Sequence, residues 1–503
     1  MAHSPFVYDL YGKFTFVRTI LFSFFSVSLG LMLGRASGFI REIYIANSLG
    51  ASIDSDFVIL LLTTPDFLVN LLVGGALSMA LIPEFRSLNK LQARKLYNQV
   101  LLLAFIIFFT ISSLLSFIPD FLIRLLAPGV YGKLSDDSIR WFSLSLFSIP
   151  FTVMAGATTA YLHYKQKFFV ASLGTLLFNI IIIVSMQVCL LVGGLDIIPF
   201  VSVAILLAAI VRMLIFVISA EPLRKHKVYF TFDLITKDLL VRYIQCIFSG
   251  GFLFLIPILL RSISSTLGDN EISLVNYSTK LVEFPLGVLI TVFSVVFFPK
   301  ISQLFSEGKT RQFQILSTNL LLIVISVSVA VAIPLYLNSF YYIDLIFGNG
   351  KFTDYELITI ANYLKLYALT IPLQGTNSLL ISILSAQKNT DKPLYSSFSS
   401  VCVLFVLSSF YANSVENLIL YVAFSYLIST LILAYFAFDI KSFRLDSSVL
   451  KLIPIQLFVL IAMTLIVEKY SGGTFTIIFD VISFAVYGLI SFSSIRYLYL
   501  KAK

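Results

Sequence analysis

From residue 17 onward, apolar runs follow one another along the chain, broken only by short polar connections. Fourteen of them can be bounded, at 17–47, 54–82, 98–118, 138–162, 168–192, 197–220, 239–266, 271–298, 312–334, 354–385, 395–412, 416–438, 450–468 and 474–497. Each is long enough to cross a hydrocarbon core of ~30 Å as a helix, which takes about 20 residues. The short alternating segments of a membrane β-barrel are absent. The pattern predicts an all-α polytopic membrane protein with 14 transmembrane helices.

Composition agrees. Of 503 residues, 58% are hydrophobic and 12% charged, where a soluble domain carries roughly 25% charged residues. Soluble cores could not hold that surplus. Cys189, Cys246 and Cys402 provide no disulfide framework, and all three lie in apolar runs, where small buried hydrophobes are expected.

The net charge of +9 changes the picture only through its placement. If the N-terminus is cytoplasmic, the termini and inner connections hold 24 of the 35 basic residues, Arg86, Lys90, Arg94, Lys95 and Lys227 among them. The opposite connections hold four: Arg124, Lys133, Lys351 and Lys469. This asymmetry is the positive-inside bias, so both termini are expected inside. It is a topology signal, and no nucleic-acid partner is implied. The polar and aromatic segment 1–16 reads as a cytoplasmic extension. The first apolar run is too long for a signal-peptide core and lacks a small-residue cleavage pattern, so it is expected to be retained.

The chain also repeats itself. Arg41 pairs with Arg261, Leu49 with Leu267, Pro65 with Pro285 and Pro83 with Pro299; Leu125 with Leu345, Pro150 with Pro372 and Gln166 with Gln387 follow in order, at offsets of 216 to 222. Seven ordered pairs predict a duplicated unit of six helices. An even number of spans gives both copies the same orientation, hence a parallel repeat, with substrate expected between the halves. The expected organisation is an N-lobe at 17–220, a cytoplasmic linker at 221–238, a C-lobe at 239–438 and two further helices within 450–497.

Charges inside the spans are the candidate chemistry, because each costs at least ~2.5–3.5 kcal/mol at the bilayer centre. Arg140 and Arg212 lie near helix ends and can snorkel; Lys365 is ambiguous. Arg41 precedes the turn at Leu49-Gly50 by eight residues, and Lys280 follows Glu271 by nine, so both lie ~12–14 Å below the outer surface at 1.5 Å per residue. Arg35 sits ~9 Å deeper on the first helix, rotated by ~240° from Arg41. Gly30, Gly34 and Gly38 form a stripe that permits close packing and also a bend, which would present both arginines to one cavity. Two roles fit Arg35, Arg41 and Lys280: structural ion pairs with Glu42, Asp56, Asp66 or Glu283, or a site for phosphate or pyrophosphate. Asp56, Asp66 and Glu283 are also the plausible H⁺ or Na⁺ sites. No metal set or nucleophile motif accompanies His3, His163 or His226, so no enzyme activity, metal or cofactor is expected.

The segment GRASGFIREIYIANSLGAS (34–52), followed by SDF (55–57), resembles the opening motif of the MurJ (MviN) lipid II flippases. GALSMALIPEF (75–85), APG (127–129), LLFN (176–179), KLVEFPLGVL (280–289), FGNGKFT (347–353) and TDKP (390–393) extend the resemblance in order. It implies the fold of the multidrug/oligosaccharidyl-lipid/polysaccharide exporter superfamily, with two six-helix lobes around a cationic cavity and two last helices forming a groove for a polyprenyl tail. It further implies movement of a lipid-linked peptidoglycan precursor across the bacterial inner membrane. Arg35, Arg41 and Asp56 match family positions. Lys280 stands where the family usually has Arg, Val69 and Asn70 replace its second-helix arginines, and Gly74 replaces an acid.

The expected function is therefore lipid II flipping by alternating access, with Arg35, Arg41, Lys280 and Asp56 on the substrate. Glu42, Asp66 and Glu283 are cation partners or coupling sites, and membrane potential, H⁺ or Na⁺ are candidate energy sources. The partners are lipid II or a similar polyprenyl-pyrophosphate saccharide and membrane lipids, and a monomer is expected. Rival readings are a flippase for another polyprenyl-linked oligosaccharide, a drug exporter of the same superfamily, and an integral-membrane enzyme acting on polyprenyl-phosphate sugars.

Overall fold

The computed structural model describes residues 29–438 apart from 31, 73–75, 194–195, 223–230, 252–254, 288–290, 388 and 390. The expected extension 1–16 and the last two spans, 450–468 and 474–497, lie outside the described residues. Every regular element among the described residues is helical. Among the described residues, seven helices are long and apolar enough to cross a membrane: Lys90–Ser116, Asp136–Tyr164, Phe169–Val192, Ile197–Ala220, Thr310–Leu337, Asp391–Tyr411 and Val415–Ala437. The other expected spans within 29–438 are covered by shorter described helices, most of them charge-bearing. These are helix 32–49, Ile53–Leu72 with Ala76–Ser87, Lys237–Gly251 with Leu255–Ser264, Glu271–Pro285 with Thr291–Ser306, and Asp354–Ala368 with Ile371–Ala386. Most of them carry the candidate charges, and polar residues there lower the mean hydropathy of the helices that hold them.

Local sequence explains where helices start and stop. Asn89 caps Lys90–Ser116, accepting from the Gln92 amide at 2.9 Å while Gln92 accepts from the Asn89 amide. Thr353 and Glu356 form the same reciprocal box at the start of Asp354–Ala368. Each such cap contributes about 0.5–2 kcal/mol. Gly50 ends the first helix at φ +65°, a conformation that side-chain-bearing residues resist.

The order of elements recurs. Lys90–Ser116 (27 residues) is followed by the short Pro119–Leu126, and Thr310–Leu337 (28 residues) by the short Ser339–Phe347. Further along, each of these pairs is followed by a helix interrupted just before a proline. Asp136–Leu146 gives way to Ser148–Tyr164 ahead of Pro150, and Asp354–Ala368 to Ile371–Ala386 at Pro372. Proline has no N–H for the preceding turn, so the chain tightens instead: Phe147 donates to Leu144, and Leu369 to Leu366. Pro150 and Pro372 thus each lie just after a break between two helices.

Packing groups the described residues into two compact units. One takes in the chain up to Arg41, Thr64–Pro119 and Asp136–Ile247; the other takes in Glu42–Thr63, Asp120–Ser135 and the chain from Phe248 on. In the first, Tyr97 and Tyr161 stack at 4.2 Å and Phe85 meets Tyr161 edge-on at 5.2 Å. In the second, Tyr277, Phe347 and Phe352 cluster at 5.6–5.9 Å.

The helix Asp391–Tyr411 shows how a membrane solvent inverts the usual pattern. It buries Ser396, Ser397, Ser400 and Ser408, and exposes Phe398, Phe405 and Phe410. Ser396 bonds Ser429 across to Val415–Ala437 at 2.8 Å. Small polar residues bring the helices together while aromatic rings face outward. Cys402 lies on that outward face and is exposed, which corrects the expectation of a buried thiol; Cys189 is buried as expected. The Cys246 side chain lies outside the described residues.

Candidate functional site

The first helix carries two candidate cations in different settings. It runs without a break over 32–49, with Arg35 exposed and Arg41 buried. In the first compact unit, Arg41 Nη1 donates to Asn179 Oδ1 at 3.0 Å, on the helix Gly174–Val192. Asn179 Nδ2 donates in turn to Ser37 Oγ at 3.0 Å and to the Gly34 carbonyl at 3.4 Å. One asparagine therefore satisfies groups on two successive turns of the first helix and orients a buried guanidinium.

The glycine stripe makes this approach possible. A Cβ on Gly30 would collide with the Ser172 hydroxyl, one on Gly34 would lie 3.2 Å from Thr175 Cβ, and one on Gly38 3.3 Å from Asn179 Nδ2. The three glycines thus line up against residues 172, 175 and 179. Their observed role is close packing.

The second unit holds the remaining carboxylates and Lys280. Glu42 Oε2 accepts from Asn276 Nδ2 at 2.8 Å, with both residues buried. Asp56, 2% exposed, accepts the backbone amide of Ser273 at 2.7 Å near the start of Glu271–Pro285. Lys280 pairs with Glu283 at 2.5 Å, three residues on along the same helix, with both side chains partly exposed. Asp66, in the first unit, is exposed. Among the ion-pair partners expected from sequence, Glu283 is thus found on Lys280, while Glu42 and Asp56 are held by an amide side chain and a backbone amide.

Around these residues, segments 50–51 and 129–133 meet residues 265–277 and 351 through backbone contacts. The Tyr277 hydroxyl donates to the Gly50 carbonyl at 3.2 Å, Asn270 Nδ2 to the Ala51 carbonyl at 3.1 Å, and the Gly129 amide to Ser265 Oγ at 3.1 Å. A Cβ on Gly50 would strike the Lys351 carbonyl, and one on Gly129 the Ser265 carbonyl. Lys133 and Asp269 form an ion pair beside the second of these. The opening motif, through Gly50, and the APG motif, through Gly129, therefore supply glycines where backbones touch.

Asn179, Asn276 and Ser273 were not among the residues singled out from sequence. Asn179 closes the LLFN motif, which was the available signal.

Arg212 departs from simple snorkelling. Its Nε is buried, its guanidinium lies 5.8 Å from the Phe216 ring, and a Cβ on Gly174 would come within 2.9 Å of Nε. Arg140, by contrast, is 81% exposed and pairs with Asp137 at 3.3 Å.

Helices of membrane-spanning length, joined by small-residue packing and carrying charged groups, define a polytopic α-helical membrane protein. The solved structure of a lipid II flippase MurJ in an inward closed conformation has this fold, with a TM-score of 0.76 at 20% identity, over 93% of this chain and 99% of that one. An inward-facing multidrug-resistance MATE transporter of the MOP superfamily also shares it, with a TM-score of 0.63 at 13% identity, over 82% and 96%. The family model described as lipid II flippase MurJ matches residues 45–500. The chain belongs to that family, which is a family of transporters and not of enzymes. Probable lipid II flippases MurJ of Rickettsia prowazekii (strain Madrid E) and Aquifex aeolicus (strain VF5) are 23% and 24% identical to it, each over 74% of both chains.

Proposed function

We propose that this chain moves lipid II from the inner to the outer leaflet of the bacterial cytoplasmic membrane by alternating access. The observation that carries this reading is the family match across residues 45–500. In the proposed arrangement, both termini are inside, two six-helix lobes are followed by two helices that cradle the polyprenyl tail, and the working unit is a monomer.

Arg35, Arg41, Lys280 and Asp56 make up the substrate site: the three cations bind the pyrophosphate, and Asp56 holds the start of the helix that carries Lys280. Guanidinium groups suit this task because their donors match phosphate oxygens two at a time, while lysine acts as a point charge. The hydrogen bond from Arg41 to Asn179 supports a pre-oriented guanidinium. The Lys280–Glu283 pair supports a lysine held by a carboxylate until a phosphate displaces it. Glu42, Asp66 and Glu283 serve as cation partners, and Asp66 and Glu283 are the sites at which H⁺ or Na⁺ would couple. An inside-negative potential favours outward passage of the anion by about 2.3 kcal/mol per charge per 100 mV.

The test is replacement of the native lipid II flippase in living bacteria by this chain. Growth and normal shape are expected on depletion of the native protein. Lysis with accumulated lipid II, despite normal amounts of this chain in the membrane, would refute the proposal.

A further inference from the structure

The sequence repeat pairs Arg41 with Arg261, each in the first apolar run of its half. Their surroundings differ. Arg41 is 9% exposed and held by Asn179. Arg261, in the last turn of Leu255–Ser264 and within the second compact unit, is only partly buried. Among the described residues, its guanidinium makes no hydrogen bond and no ion pair. A cation within an apolar span either pairs or faces a water-filled space. Arg261 does not pair.

The guanidinium also faces the interior of its unit. It lies within electrostatic reach of the hydroxyl of Tyr367, a residue 1% exposed on Asp354–Ala368. The same hydroxyl is in reach of Glu283, which pairs with Lys280 at 2.5 Å on Glu271–Pro285. Glu283 acts in turn on Tyr426, buried on Val415–Ala437. Four helices of one unit thus converge on two cations, one carboxylate and two buried phenols. Lys280 and Glu283 offset each other, so the net positive charge of this cluster is that of Arg261.

Depth agrees. Arg261 precedes Leu267 by six residues, and Lys280 follows Glu271 by nine, on the two sides of one turn. At 1.5 Å per residue the two differ in depth by about 4.5 Å, less than one helical turn. A planar guanidinium fork beside a point charge suits two linked phosphates better than one. Lys280 must exchange Glu283 for an incoming phosphate, whereas Arg261 has no bond to give up.

We propose that Arg261 is a further substrate-binding residue, which takes one phosphate of a diphosphate while Lys280 takes the other. This rests on the reading above that the substrate is a polyprenyl-pyrophosphate saccharide. Arg261 thereby sets the preference for diphosphate-linked over monophosphate-linked lipids, and it supplies a guanidinium to the unit in which Lys280 stands in place of the usual arginine.

Binding of farnesyl diphosphate and farnesyl monophosphate to the purified full chain, titrated in detergent, tests it. The parent is expected to bind the diphosphate about tenfold more tightly, as one added charge-assisted contact would give. Arg261→Ala should weaken the diphosphate about fivefold or more and leave the monophosphate almost unchanged, so that the two come within about twofold. An arginine that only supports the fold would weaken both ligands alike. A parent without the preference, a preference kept in Arg261→Ala, or a parallel loss of both ligands overturns the proposal. If Arg261→Ala folds poorly, Arg261→Gln is read by the same criteria. Lipid II translocation by the parent in vesicles separates the two readings. A parent that moves no lipid II, yet prefers the diphosphate through Arg261, contradicts the proposed function and leaves the Arg261 assignment standing. Lipid II movement with the preference kept in Arg261→Ala contradicts the Arg261 assignment alone.

Discussion

Replacing Asn179 by alanine removes the acceptor that holds a buried arginine. Arg41 is 9% exposed and Asn179 2% exposed, and their bond is 3.0 Å long. A hydrogen bond to a charged group contributes about 1.5–3 kcal/mol. The further bonds from Asn179 to Ser37 and Gly34 are neutral, and such interhelical bonds in membranes average ~0.6 kcal/mol. Asn179→Ala should therefore destabilise the protein by about 3–4 kcal/mol, with most of that cost shared with Arg41. The measurement is a double-mutant cycle of Arg41→Ala and Asn179→Ala, read as unfolding free energy in mixed micelles. A coupling of about 1.5–3 kcal/mol is expected. Additive effects, with coupling below ~0.5 kcal/mol, would show that the bond does not anchor the first helix.

Reporter fusions at Lys133 and Lys227 should report outside and inside respectively; the reverse would sink the orientation. Gly129→Ala should lower thermal stability by an overpacking cost of about 1–3 kcal/mol, because its Cβ meets the Ser265 backbone, whereas Gly132→Ala, with open space around it, should be neutral; equal effects would refute the close approach. Hydrogen bonds from Lys95 and Gln99 hold the Asp233 carboxyl down at about 2, below its usual 3.8. A depressed carboxyl stabilises the fold above its unfolded value and loses that contribution as pH falls toward the folded one. Asp233→Asn should therefore lower the melting temperature slightly and equally at pH 5 and pH 7, and the difference from the parent should shrink below pH 4; a difference that grows on acidification would refute the pairing.

Much of the architecture was written in the apolar runs. Continuous spans such as Phe169–Val192 and Ile197–Ala220 coincide closely with them, because length and hydropathy suffice where no charge intervenes. Pro150 and Pro372, one of the proline pairs read from sequence, each follow a break between two helices. The rotation of ~240° between Arg35 and Arg41 already required different surroundings for the two on a regular helix, and one is exposed while the other is buried. What the sequence did not show is which neutral partner holds each charge. Asn179 is 138 residues from Arg41, and Asn276 is 234 from Glu42. A single asparagine in an apolar run has no spacing that betrays its partner; only packing brings the two together. The glycine stripe was compatible with bending or packing, and the side chains of 172, 175 and 179 lie where packing needs them.

The most direct measurement of the proposed function is translocation of lipid II by the purified chain in sealed vesicles under an imposed potential, read as the fraction of lipid II newly exposed to an impermeant enzyme on the far side. The parent chain should translocate lipid II well above protein-free vesicles, and the Arg35→Ala, Arg41→Ala, Lys280→Ala triple variant should fall to that background at equal protein content. Undiminished translocation by the triple variant would contradict the assignment of those cations to the pyrophosphate, and no translocation by the correctly folded parent would contradict the function itself.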